Sequence, residues 1–233
     1  MIHADIINDL LKCIEKADYQ FSIFPCCENK VEQETCLSDG SQPLKLNRRQ
    51  IIRIKTIIKK TAKREKYDLE KIFLKLWWSR QLVLNRIAAH LMPEVYSENT
   101  TTDIENIKTL LWRIDNRIVC NELSFSLSKL VPHQVEIWKE TFKEWAVSDF
   151  KWNRLIGILL ITRTAKMLTL QIPELLKIVA LYMQETNTDI QEEVSVSLRL
   201  MAEQWDLPVI HFIDKYQYSQ NPNTKQILKK CNL

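Results

Sequence analysis

The sequence predicts an all-α fold in which helical hairpins stack side by side as an α-solenoid of about 10–12 helices. Three observations point there. The 233 residues include only two glycines, Gly40 and Gly157, whereas hairpin-linked strands lean on glycine for positive φ. Between turn signals, apolar residues recur with helical period over segments of about 12–18 residues, and no stretch alternates convincingly as a strand would. The segments also come in pairs, and a helical pair that cannot bury its apolar face alone needs neighbours to cover it. A compact helical bundle is the structural alternative.

Each element has its own local signal. The stretch MIHADIINDLLKCIEK at the amino terminus reads as an amphipathic helix carrying acids, not as a signal peptide. Residues 27–42, CENKVEQETCLSDGSQ, read as a loop. Caps then mark helix starts: Asn47 before RRQIIRIKTIIKK, Asp68 before LEKIFLKLWW and Ser79 before RQLVLNRIAAHLM. YSENTTT at 96–102 is a shorter break. Asp115 precedes NRIVCNELSFSLSKL, and Pro132 is placed to open the next helix at its first turn. Later starts are expected near Ser148 or Asp149, Pro173, Thr188 and Asp206. The whole chain, 1–233, is expected to form a single domain.

Composition removes several function classes. Two glycines far apart exclude a P-loop and a dinucleotide fingerprint. No apolar run approaches a membrane span of about 18 residues; the longest, LIGILLI at 155–161, lies between Arg154 and Arg163. A cytoplasmic protein is expected. The six cysteines (Cys13, Cys26, Cys27, Cys36, Cys120, Cys231) form no CxxC and no Cys/His pair at metal-ligand spacing. Free thiols are the expectation, with a zinc or redox site at Cys26, Cys27 and Cys36 as the alternative. No metal and no cofactor are expected.

Charge is uneven along the chain. Residues 45–66, KLNRRQIIRIKTIIKKTAKREK, carry ten Lys/Arg and one acid, a local charge of +9, so the rest of a +4 chain sums to −5. On a helix, Ile51, Ile54 and Ile58 share one side while Arg49, Arg53, Lys60 and Arg64 take the other. Such a helix buries isoleucine and offers a cationic stripe, which suits a polyanion. A merely solvated basic face is the plain alternative.

EWAVSDFKWNRLIGILL (144–160) contains Trp145, Ser148, Asp149 and Trp152 as WxxSDxxW. This resembles the AlkD-like DNA alkylation repair family, the HEAT-like repeat DNA glycosylases. Three further segments resemble it in the same order: KLNRRQIIRIKTI (45–57), LWWSRQLVLNRIAAHLM (76–92), and EEVSVSLRLMAEQWDLPVIHFI (192–213) with its Leu198-Arg199 pair. The resemblance is clearest over 45–213. It implies a right-handed solenoid of HEAT-like hairpins with a basic concave face, binding duplex DNA through its phosphates and acting as a monomer. It also implies excision of cationic alkylated bases such as 3-methyladenine and 7-methylguanine. There a carboxylate stabilises the positive charge that develops on the sugar, an indole face favours a cation, and an Arg grips the phosphate.

Carried over residue by residue, that chemistry is missing. In IDNRIVCNEL (114–123) the family's Trp position holds Arg117 and its Asp position Asn121. The phosphate-gripping Arg falls on Leu155, with Arg154 one residue short, and a second active-site Trp falls on Val196. Asn121 cannot stabilise an oxocarbenium-like centre as a carboxylate does, and Arg117 brings a fixed cation towards a site meant for a cationic base. Trp112 and Asp115, just upstream, are the fallback aromatic and acid; Glu122, turned about 100° from Asn121, is expected at the surface. The resulting expectation is a DNA-binding family member with a degenerate glycosylase site, contacting DNA through Arg48, Arg49, Arg53, Lys60, Arg117 and Arg154. An active glycosylase and a protein-interaction scaffold are the alternatives.

Overall fold

A computed structural model describes residues 46–79 and 81–231. The amino-terminal helix, the loop at 27–42 and four cysteines (Cys13, Cys26, Cys27, Cys36) lie outside the described residues. Eleven α-helices and no strand occur among those described. The chain divides into two compact units, one ending at Val95 and the other beginning at Tyr96.

The described part of the first unit holds α1 (Arg48–Glu65), α2 (Leu69–Trp77) and α3 (Leu82–Val95). As expected, α1 starts at Asn47, whose side chain accepts from the Gln50 amide (3.0 Å) while Gln50 Oε1 accepts from the Asn47 amide (2.8 Å). That reciprocal pair satisfies two amides the helix itself cannot serve. Asp68 likewise caps α2 through the amides of Glu70 and Lys71. Instead of following Ser79 directly, α3 begins at Leu82. Ser79 Oγ accepts from the Gln81 amide (3.4 Å), and the Asn85 amide group reaches the carbonyls of Leu76, Trp77 and Ser79 that close α2. Both α1 and α2 pack on α3.

The second unit holds α4 (Thr101–Leu111), α5 (Arg117–Leu127), α6 (Val135–Ala146), α7 (Lys151–Thr164), α8 (Ile172–Val179), α9 (Thr188–Ala202), α10 (Asp206–Tyr216) and α11 (Pro222–Cys231). Here α5 packs on α7, α7 on α9 and α9 on α11, while α6 packs on α8 and α8 on α10. With α5, α6 and α9 all against it, α7 is apolar nearly all round: Leu155, Ile156, Ile158, Leu159, Leu160 and Ile161 are buried. Among the described residues no helix is long and apolar enough to cross a membrane.

Several starts differ from expectation by a residue or a turn. Asn116, not Asp115, caps α5, accepting from the Ile118 amide at 2.7 Å. Pro132 falls in a single 3-10 turn, Val131–His133, and α6 begins only at Val135. The break at 96–102 already contains Thr100, which caps α4 in a reciprocal pair with Asp103. Among the described residues two that are not glycine take positive φ, Lys66 (59°) and Asn99 (55°). Asn99 is buried, and it repays that backbone cost by donating to the Leu130 carbonyl (2.8 Å) and accepting from the Trp138 indole (3.0 Å).

Candidate nucleic-acid interface

The basic helix α1 divides as its wheel predicts. Ile51, Ile54, Ile58 and Ala62 are buried, while Arg49, Arg53, Lys60, Lys63 and Arg64 are exposed; Arg48 is half-buried. Part of the positive charge is neutralised locally. Lys55 and Lys59 both donate to Glu94 at the end of α3, and Arg64 pairs with Glu65 at 2.6 Å. Burial pushes the Glu94 carboxyl up, yet hydrogen bonds from Lys55 and Lys59 outweigh it and hold the group below its ordinary value. Arg49, Arg53, Lys60 and Lys63 have no ion-pair partner among the described residues. Arg49, Arg53 and Lys60 form a strip about 16 Å long on one side of the helix.

The arginines of the second unit behave differently. Arg117, the first residue of α5, donates to Asp189 (3.3 Å) and Glu193 (2.6 Å) on α9. Arg154, on α7, donates to both oxygens of the buried Glu185 (2.7 and 3.4 Å) and to the carbonyls of Ser148 and Asp149 (2.6 and 3.1 Å). Expected to grip a phosphate, Arg154 instead holds together the turn that opens α7. Its own carbonyl accepts from Tyr182 Oη at 3.1 Å. Gly157 makes room for that phenol: a Cβ there would stand 2.5 Å from Tyr182 Oη.

The other positions that the resemblance singles out lie on three adjacent helices. Arg117, Asn121 and Ser124 share one face of α5, and Asp189, Glu193 and Val196 share one face of α9, each spaced by four and then three residues. Arg117 joins the two faces. Asn121 is half-buried and accepts from Arg163 at 3.5 Å, at the edge of hydrogen-bond range, while Arg163 Nε donates to Ser124 (2.9 Å). Leu155 is buried in α7, and Val196 is half-buried. Sequence reasoning missed Asp189, Glu193 and Arg163. For Asp189 and Glu193 the only sequence signal was their helical spacing from Val196 and the run EE at 192–193, and Arg163, on α7, had none.

Other expectations are corrected. Glu122, expected at the surface, is only 3% exposed. Trp77 and Trp138 are core residues, whereas Trp78 is 48% exposed. Of the fallback pair, Asp115 is exposed, and Trp112 is 68% exposed with its ring stacked on Phe150 (centroids 5.2 Å apart, planes 23° apart). Beside them, Lys151 Nζ lies 4.3 Å from the centre of the Trp152 ring. Cys120, on α5, is buried, and that burial pushes its thiol far up despite the nearby cations Arg117 and Lys151. Among the described residues no three His, Cys, Asp or Glu side chains are grouped to hold a metal ion.

Among the described residues, fold and charge give an all-helical arrangement with an openly cationic α1 and, on α5 and α9, a face whose charges are paired. The family model described as DNA alkylation repair enzyme matches residues 47–230, from the cap of α1 into α11. That is well over half of the chain, and the protein belongs to the DNA alkylation repair family. No curated protein matches it.

Proposed function

We propose that this protein binds duplex DNA without excising bases, as a family member whose glycosylase site has degenerated. One observation carries the reading: the guanidinium of Arg117, which the resemblance puts at the family's indole position, is held between Asp189 and Glu193. A cationic base entering there would meet a cation in place of an indole face. The carboxylate position holds Asn121, an amide that cannot balance an oxocarbenium charge. The phosphate-gripping position is Leu155 in the core, and its neighbour Arg154 is engaged by Glu185. Losing one such charge-stabilising group costs about 3–4 kcal/mol of barrier, and several together remove the mechanism even where they do not add.

DNA contact then falls to Arg48, Arg49, Arg53 and Lys60 of α1, in a right-handed HEAT-like solenoid that is monomeric and cytoplasmic. Binding is through phosphates and largely independent of sequence, so affinity falls steeply with salt. Incubating the purified protein with DNA containing 7-methylguanine tests the reading. No base release above a buffer control is expected, alongside binding that weakens as salt rises. Release that disappears in Glu193→Gln or Asp115→Asn would establish an active glycosylase with a relocated carboxylate. A flat salt dependence would leave an interaction scaffold instead.

A further inference from the structure

Where α4 ends and α7 begins, an aromatic pair takes no part in the paired-charge face on α5 and α9. Trp112, at the end of α4, lies nearly parallel to Phe150 at the start of α7, 5.2 Å between centroids and 23° between planes. Phe150 covers one face of the indole, yet the residue is still 68% exposed, so the other face is open. Trp112 is more exposed than Trp78, at 48%, and far more than the buried Trp77, Trp138 and Trp145. A stacked pair with one free face is what an unpaired nucleobase adds to as the next layer.

We infer that Trp112, backed by Phe150, is a stacking platform for an unpaired or everted base of bound DNA. The inference rests on the DNA-binding reading above and adds which DNA is preferred. Charge does not supply the preference: Lys151 is the nearby exposed cation, and Asp115 and Asp149 are exposed acids at the same corner. Stacking must therefore supply it, which makes the platform tolerant of base identity. The patch is one indole wide, far short of the roughly 800 Å² per partner that a stable protein complex buries. A base, flat and of similar size, fits it.

The test uses the full chain and two duplexes of equal length, one fully paired and one carrying a single bulged 2-aminopurine. The bulged duplex is expected to bind more tightly by roughly 5- to 150-fold, with its fluorescence quenched as the base stacks. Trp112→Ala should bring the two duplexes to the same affinity and abolish the quenching, while Trp112→Phe keeps most of both. Because Trp112 is exposed, neither substitution removes core packing, and thermal melts check this. Equal affinities for the wild type, or a preference that survives in Trp112→Ala, overturn the platform alone. Failure to bind either duplex at low salt overturns the platform together with the DNA-binding reading.

Discussion

Helix α1 carries a row of basic residues and the face shared by α5 and α9 carries Arg117 among acids, and the two differ in what their cations are free to do. On α1, Arg49, Arg53 and Lys60 stand in solvent with no acid on their side of the helix. On α5 and α7, Arg117 and Arg154 are each held by carboxylates from elsewhere in the second unit. Arg154, satisfied by the buried Glu185, has little left to offer a phosphate, because breaking that pair would leave the acid buried and uncompensated, whereas the acids of Arg117 are the exposed Asp189 and the half-buried Glu193. Counting basic residues thus says less about polyanion binding than asking which of them are already engaged.

The sharpest way to break this contrast is Arg154→Ala. If Arg154 is internal, the change strands Glu185 and costs about 3–5 kcal/mol of stability, read as a lower urea midpoint. An unchanged midpoint together with weakened DNA binding would return Arg154 to the phosphate-binding group. On the other side of the contrast, replacing Arg49, Arg53 and Lys60 together with alanine should flatten the plot of log affinity against log salt by about 2–3. Stability should hardly change, since exposed side chains away from caps and core matter little. A slope equal to that of the wild type would show that these cations do not meet phosphates.

A smaller effect is expected from Glu193→Gln, which removes the closer of Arg117's two acids. Freed in part, Arg117 should raise DNA affinity by about two- to tenfold at low salt. Weaker binding would mean that the pair positions the site instead of masking its charge. The smallest effect concerns Glu94, which ties Lys55 and Lys59 to α3. Its carboxyl titrates below its ordinary 4.5 in the folded protein, so its contribution to stability is complete above about pH 4.5 and is lost as pH falls through the lower folded value. Glu94→Gln should therefore flatten the acid limb of a stability-against-pH curve. An unaltered limb would show that the Lys55 and Lys59 contacts do not persist in solution.

Local structure was legible in the sequence because its causes are local. Asn47 and Asp68 cap their helices as their side chains allow, and the isoleucines of α1 turn inward because the helical period requires it. The partners of Arg154 and Arg117 were not legible. Glu185 lies 31 residues from Arg154, and Glu193 lies 76 from Arg117; no periodicity within one helix links them. Glu122 was misjudged for a related reason. Helical spacing places it away from Asn121, but only the packing of neighbouring helices decides whether that direction is solvent or interior. At the candidate site, the identities of Arg117 and Asn121 were readable, while the ion pairs that engage Arg117 required the fold.

The depth of Cys120 gives the protein a built-in clock. Its thiol, on α5, is buried, and burial holds it far from the thiolate form that reacts with alkylating reagents. Labelling at this position must wait for α5 to open, so its rate counts openings of the very helix that carries Arg117 and Asn121. Mass spectrometry of Cys120 modification, with and without DNA, would report whether a ligand holds that helix closed, with no probe attached to the protein.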